Sequence, residues 1–452
     1  MENFDDFNLP KQLKFAIQDL GFIKPTPIQE QSFSLILSGK DIVGVAQTGT
    51  GKSFAYMLPI LTEIKYSDQV SPRILVLVPT RELVIQMVEN IEAYSKYQTV
   101  RTIGVYGGTN INTQKQSVAQ GCDIIVATPG RLRDLALSGV LQLKMIKKLV
   151  VDEVDVMLDL GFRPQLMDIF DIIPDKRQNI LFSATMTEEV DGLLDTFFVQ
   201  PKRISIAVSG TPLSNITQTC YKAPNFYTKV NLLTEIVKNK TEFSKVLVFV
   251  ESKKSADRMM EVLEDRFGEQ MCVIHSNKSQ NYRIRSIEQF NDGRKRILIA
   301  TDVIARGLDL EKISHVINID TPAYPENYMH RIGRTGRAEE NGKSILFFTE
   351  KEEESKLAIE MLMNYEIPLL PMPKSVEVSK QLTPEERPVG YEINAGKFKN
   401  SGDSGNGAFH DKKAKNAKEN EGGKYRKELA KKYKKPQRRG DKIQNMKARK
   451  KF

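Results

Sequence analysis

Short runs of valine, isoleucine and leucine recur along this chain, each followed by a longer stretch whose apolar residues have helical spacing. DIVGVA (41–46), RILVLVP (73–79), CDIIVATP (122–129), KKLVVDE (147–153) and NILFSAT (179–185) form one set. KVLVFVE (245–251), MCVIHS (271–276), RILIATD (296–302) and HVINID (315–320) form another. Strands that are apolar on successive residues must be covered on both faces, and intervening helices supply that cover. The pattern therefore predicts an α/β fold with parallel sheets. A polar, turn-rich segment, AVSGTPLSNITQTC (207–220), separates the two sets, which look like one architecture used twice. The expected division is 1–207, a linker at 208–220, and 221–375, where PMPKSVEV leads into polar sequence.

With 452 residues, 40% of them apolar, the chain has enough material for two or three cores. Cys122, Cys220 and Cys272 lie far apart and in no metal-ligand spacing, which argues for a reducing compartment and against a disulfide framework or zinc site. The start, MENFDDFNLP, is acidic and lacks the pattern of a signal peptide. No apolar run approaches the roughly 18–20 residues of a membrane span. A cytoplasmic protein without a membrane partner is expected. The net charge of +10 is unevenly placed: from residue 391 onward 20 Lys and Arg face 7 Asp and Glu, a net of +13 against −3 for the remainder. This stretch belongs to a tail, 376–452, that is rich in Gly, Asn and Lys and expected to be largely disordered, with room for a short helix around KYRKELAKKY. Such a tail is either inert and solvated or an electrostatic arm for nucleic acid, and the rest of the chain favours the arm.

The strongest chemical signal follows the first strand. AQTGTGKS (Ala46, Gln47, Thr48, Gly49, Thr50, Gly51, Lys52, Ser53) is a glycine-rich turn between strand and helix, whose backbone N–H groups would face phosphate oxygens. Lys52 would reach the outer phosphates and the Ser53 hydroxyl would ligate Mg²⁺. Ala46 stands where the strict pattern has glycine, so the match is to a relaxed form. Three acids then end an apolar strand in LVVDEVDVML (149–158). Alone, they read equally well as a solvated strand end. Beside a phosphate loop, Asp152 fits the acid that holds Mg²⁺ and Glu153 the base that polarises the attacking water. The second half has no glycine-rich GK[ST] loop, but HRIGRTGR (330–337) offers three arginines that could reach a γ-phosphate across a cleft. A solvated face or surface ion-pair network is the other reading of that cluster.

Together these motifs resemble the DEAD-box RNA helicases of helicase superfamily 2, over residues 1 to about 370 and in the family's order. The resemblance implies two tandem RecA-like parallel-sheet domains, an ATP and Mg²⁺ requirement, an RNA partner and, with the basic tail, the bacterial type of the family. FDDFNLPKQLKFAIQDLGFIKPTPIQ (4–29) is similar to the adenine-reading Q motif, which gives Gln29 the adenine edge and sets Phe4 and Phe22 at the base. Asp309 resembles the residue that binds the ribose, and Arg334 and Arg337 the γ-phosphate fingers. Asp155, Ser183, Thr185 and His330 resemble the group that couples hydrolysis to strand separation. Contacts to the RNA backbone would come from Pro79, Thr80, Arg81, Gly107, Gly108, Thr128, Pro129, Gly130 and Arg131 in the first half. The second half would add Arg283, Thr301, Arg306 and Gly307. These residue types bind phosphates and sugars rather than base edges, which implies binding without sequence preference. The basic tail suits structured RNA such as ribosomal RNA; protein partners are not legible. An ATP-gated RNA clamp and a DNA-unwinding relative use the same motifs. One departure is Val154, where the family has alanine; in an unadapted core its two extra methyl groups would cost about 1–3 kcal/mol, so a compensating neighbour is expected.

Overall fold

The computed structural model describes residues 3–46, 50–206, 215–302, 310, 312–336 and 341–387. Its first lobe opens with helices α1 (Lys11–Asp19) and α2 (Pro27–Leu37). Strands β1 (Ile42–Val45), β2 (Ile74–Leu77), β3 (Thr102–Val105), β4 (Ile124–Ala127), β5 (Lys148–Asp152), β6 (Gln178–Ser183) and β7 (Lys202–Ser205) follow. Between them lie α3 (Lys52–Glu63), α4 (Arg81–Tyr94), α5 (Ile111–Ala119), α6 (Pro129–Leu137), α7 (Val154–Asp159), α8 (Arg163–Ile172) and α9 (Glu188–Phe197). The strands form one sheet in the order β3-β4-β2-β5-β6-β1-β7, with every neighbouring pair parallel. Residues along β2 alternate between two separate cores, Ile74 and Val76 in one, Leu75 and Leu77 in the other. Both faces are dry, which is why these strands read as unbroken apolar runs.

The second lobe repeats the plan. It comprises β8 (Ile216–Lys222), α10 (Phe226–Ile236), β9 (Val246–Phe249), α11 (Lys253–Phe267), β10 (Met271–Ile274), α12 (Gln280–Asn291), β11 (Ile297–Ala300), β12 (His315–Asn318), α13 (Pro325–Ile332), β13 (Gly342–Phe348) and α14 (Glu353–Met363). Six strands pair in parallel in the order β10-β11-β9-β12-β13-β8.

Every apolar run quoted from the sequence forms a strand, but β3, β7, β8 and β13 were not anticipated. At β7 only Ile204 is buried, and on β8 buried Ile216, Gln218 and Cys220 alternate with more exposed residues. The expected linker at 208–220 is corrected accordingly: its last five residues belong to β8, an edge strand with one buried side. The start of the tail moves as well. Beyond 375 the chain continues along the second lobe, where Ser379 N donates to Thr228 Oγ1 at 3.0 Å and Phe226 N donates to Glu386 Oε1 at 2.6 Å. Buried Val376 joins the apolar core of the second lobe, and polar side chains hold the residues after it. Most of the linker and the basic stretch from 388 onward lie outside the described residues. Val154 is fully buried in the core that also holds Val43, Leu75 and Leu77; nothing in the structure singles out a compensating neighbour. Among the described residues no helix is long and apolar enough to cross a membrane.

Candidate active site

Parallel strands all end at one rim of their sheet, where loops and helix starts gather. In the first lobe that rim divides in two. Adjacent β5, β6 and β1 lead into the DEVD acids, the SAT turn and the phosphate loop, whereas adjacent β3, β4 and β2 lead into Gly107–Gly108, TPGR and PTREL. The motifs expected to hold nucleotide and those expected to grip the RNA backbone therefore occupy separate halves.

On the nucleotide half, Gly51 takes a left-handed conformation (φ 83°) and Lys52 opens α3. The loop is anchored where Ala46 N donates to Ser183 O at 3.0 Å; Gln47, Thr48 and Gly49 lie outside the described residues. Lys52 is 7% exposed and its Nζ has no hydrogen-bond partner among the described residues. A buried ammonium without an acceptor is costly, so this position suits an anion. Ser53 follows it, half-buried. The Gln29 amide caps α2 by accepting from Thr26 N at 2.9 Å and donates through Nε2 to Gly51 O at 3.2 Å. A Cβ on Gly51 would collide with that amide. Gln29 retains one N–H and one lone pair, the complement of an adenine edge. Phe4 is buried against Phe7 and Phe54, while Phe22 is 41% exposed beside Phe54 and keeps an open face.

The acids sit deep in the same half. Asp152 ends β5 at 6% exposure; burial pushes its carboxyl up to about 6, against the opposing charge of Lys52. Tyr56 O–H donates to Asp152 Oδ2 at 2.8 Å and also contacts Ser53, so one hydroxyl joins the two expected Mg²⁺ ligands. Sequence reasoning missed Tyr56, although it lies one helical turn from Lys52 and Ser53 on the same face. Glu153 adopts a left-handed φ of 54° and its Oε2 is buried with no hydrogen-bond partner among the described residues. Such a backbone costs on the order of 1–3 kcal/mol in a non-glycine residue. Asp155 Oδ2 accepts from Ala184 N (3.2 Å), Thr185 N (3.0 Å) and Thr185 Oγ1 (2.9 Å). Ser183 Oγ donates to Thr185 O at 2.6 Å and completes the turn.

The second lobe reaches this cluster through α13. His330 Nε2 stands 3.5 Å from Asp155 Oδ2. Burial alone would raise the Asp155 carboxyl, but the His330 hydrogen bond and charge, the Lys52 charge and the Thr185 hydrogen bond together hold it well below the usual range. Arg334 is 2% exposed, with Nε donating to His330 O at 3.3 Å. Of the three arginines in HRIGRTGR, Arg331 is corrected to a fold contact: Nε and Nη2 bind the Asp302 carboxylate at 2.5 and 2.7 Å, and Nη1 donates to Asp320 O at 2.7 Å. Arg337, Asp309, Arg306 and Gly307 lie outside the described residues; Thr301 is buried at the end of β11.

On the other half of the rim, Pro79 is buried and Thr80 caps α4, accepting from Leu83 N at 3.3 Å. The Arg81 guanidinium packs on Gly108 (φ 78°), where a Cβ would displace it. Thr128 and Pro129 begin α6, and Gly130 has open space where a Cβ would stand. Arg131 and Arg283 do not stand open to solvent. Arg131 donates to Gln114 Oε1 and Thr109 O at 2.8 and 2.9 Å, and Arg283 forms a buried cross-lobe ion pair with Glu82.

Two parallel α/β lobes, a phosphate loop and strand-end acids on the first, and His330 brought to those acids by the second, define the class of two-lobed phosphate-loop proteins built from tandem RecA-like domains. The comparisons with known proteins agree. The DEAD/DEAH box helicase family matches residues 26–193, and the helicase conserved C-terminal domain matches 228–339. The ATP-dependent RNA helicase RhlB of Pseudomonas syringae is 40% identical over 369 residues, 79% of this chain and 91% of that protein. The ATP-dependent RNA helicase DeaD of Buchnera aphidicola is 40% identical over 379 residues, 84% of this chain, which spans only 62% of the DeaD length. Among solved structures, S. cerevisiae Dbp5 bound to RNA and ADP BeF3 superposes with a TM-score of 0.76 at 29% identity, covering 82% of this chain and 96% of that one. This chain belongs to the DEAD-box helicase family.

Proposed function

We propose that the protein is an ATP-dependent RNA helicase that grips the RNA backbone without sequence preference and opens short duplexes, or remodels ribonucleoprotein, in step with ATP hydrolysis. The observation that carries this reading is the Asp155 carboxylate, which ties the DEVD acids to the SAT turn and meets His330 from the other lobe at 3.5 Å. Lobe position and phosphate chemistry thereby share one group. In this reading the phosphates lie along Thr50–Ser53 with Lys52 at the outer ones, and the adenine lies against Gln29 and Phe22. Glu153 orients the attacking water, and Arg334 and Arg337 face the γ-phosphate. Ser53 and Asp152 are oxygen donors suited to a hard divalent cation, and they would hold Mg²⁺, which neutralises phosphate charge. The first lobe, through Ile206, forms the ATP-binding domain, and the second, from Asn215, the C-terminal helicase domain.

The names of the relatives, ATP-dependent RNA helicases, and the RNA in the Dbp5 structure support RNA as the substrate. The basic stretch from 391 favours structured RNA such as ribosomal RNA. Cys122, Cys220 and Cys272 are buried free thiols, which suits the reducing cytoplasm. The test compares ATP turnover with RNA and with DNA, alongside strand displacement on a short RNA duplex. RNA alone should raise turnover, and displacement should require ATP. Equal stimulation by DNA would mark a DNA-unwinding relative, and ATP-dependent retention of RNA without duplex opening would mark a clamp.

A further inference from the structure

We propose that Gln114, which belongs to none of the RNA-facing segments assigned above, is a positioning residue that sets the RNA grip of the first lobe; the inference rests on the RNA-helicase reading. Gln114 lies on α5, half-buried, and its amide is bonded on both ends. Nε2 donates to Tyr106 O at 3.1 Å and to Thr109 Oγ1 at 2.9 Å, and Oε1 accepts from Arg131 Nη1 at 2.8 Å. Arg131 Nη2 closes the ring by donating to Thr109 O at 2.9 Å. Both N–H bonds of the amide are used, and the Arg131 bond is charge-assisted.

This clasp reinforces the single direct link between the two segments, the Arg131 bond to Thr109 O, with three further bonds through one amide. Tyr106 and Thr109 flank Gly107–Gly108, which offer no side chain for a contact, and Arg131 sits in the first turn of α6. Arg131 is 8% exposed and both its terminal nitrogens are engaged, so its guanidinium acts through position rather than as an open phosphate ligand. On the far side Arg81 packs against Gly108, which makes PTREL, the Gly-Gly turn and TPGR one continuous unit. A backbone ligand met by several N–H groups and helix starts needs them aligned before it arrives; otherwise binding bears the cost of ordering them. Gln114 supplies that order.

The test uses the full chain with Gln114→Met, which fills a similar volume without polar atoms, and Gln114→Ala as a second variant. Three quantities are compared: turnover without RNA, the concentration of single-stranded poly(U) giving half-maximal stimulation, and turnover at saturating RNA. The expected result is unchanged basal turnover and thermal midpoint, a half-saturating RNA concentration raised roughly tenfold, and saturated turnover within about twofold. A half-saturation within about twofold of the parent in both variants overturns the proposal. So does a parallel fall of basal turnover, saturated turnover and thermal midpoint, which is the signature of a merely structural residue. If RNA neither binds nor stimulates the parent chain, the RNA-helicase reading itself fails, and that outcome is distinct from a parent that responds while its variants respond equally.

Discussion

Glu82 and Arg283 form an ion pair across the cleft with side chains only 6% and 3% exposed, and Gln280 Nε2 donates to the same carboxylate at 3.0 Å. The two charges come from different lobes, so their burial is tied to lobe closure. Arg283→Met leaves Glu82 buried and unpaired in the closed arrangement, a penalty of about 3–5 kcal/mol. RNA-stimulated turnover should fall roughly a hundredfold or more, while the thermal midpoint hardly moves. Adding Glu82→Gln should restore part of the loss, because no unpaired charge remains. Energy transfer between dyes on the two lobes checks closure directly; a double variant no better than the single one would refute the account.

Removing both Arg334 and Arg337 should leave ATP binding largely intact and cut turnover by a factor on the order of 10³. Lys52→Ala should instead weaken nucleotide binding or abolish turnover, since it removes a buried charge that has no acceptor among the described residues. Nucleotide titration and steady-state hydrolysis separate the two effects. Near-normal turnover in the double arginine variant contradicts a composite site.

Val154 is 0% exposed, so Val154→Ala opens a small cavity and should cost on the order of 1 kcal/mol of stability. RNA-stimulated hydrolysis should stay within roughly tenfold of the parent. A normally folded variant in which RNA no longer stimulates hydrolysis would assign Val154 a mechanistic role.

His315 is 2% exposed and stacks on Phe243 at 4.0 Å. Burial, with the Lys343 charge, pushes its imidazole down to about 4, although Glu242 acts in the opposite direction. The unfolded chain takes up a proton near pH 6.5 that the folded chain refuses until about pH 4. Stability from this group is therefore complete above pH 6.5 and lost as pH falls toward 4. The drop in thermal midpoint from about pH 7 to about pH 5 should be smaller for His315→Phe than for the parent; equal drops would show that other groups carry the dependence.

A chain ending at residue 390 should keep ATP hydrolysis at saturating RNA, because the +13 stretch it lacks follows every motif of both lobes in the sequence. It should need more RNA for half-maximal stimulation and show a shallower dependence of affinity on log salt, since fewer counterions are released. The loss should be largest for long or structured RNA, which engages lobes and tail together. Superimposable titrations at two salt concentrations would point instead to a protein partner or to solubility.

Central strands, phosphate loop and strand-end acids were legible in the sequence because each is a local pattern. Two-sided burial makes β2 or β5 unbroken apolar runs, and a glycine turn between strand and helix identifies itself. Edge strands β7 and β8 escaped for the opposite reason: Ile204 alone is buried on β7, and on β8 buried Ile216, Gln218 and Cys220 alternate with more exposed residues; β13, inside its sheet, escaped as well. Site chemistry depended on partners distant in the chain. No spacing in HRIGRTGR tells Arg331, held by Asp302, from Arg334, carried to the cleft beside His330. Nor does any local signal show that Arg131 is engaged by Gln114, that Arg283 faces Glu82, or that Tyr56 holds Asp152, 96 residues further on. Sequence by itself determined which chemical groups the chain owns and which strand ends carry them. Which of those groups remain free for a ligand was decided only by the tertiary structure, because a buried charge takes the nearest acceptor that packing presents, whatever its distance along the chain.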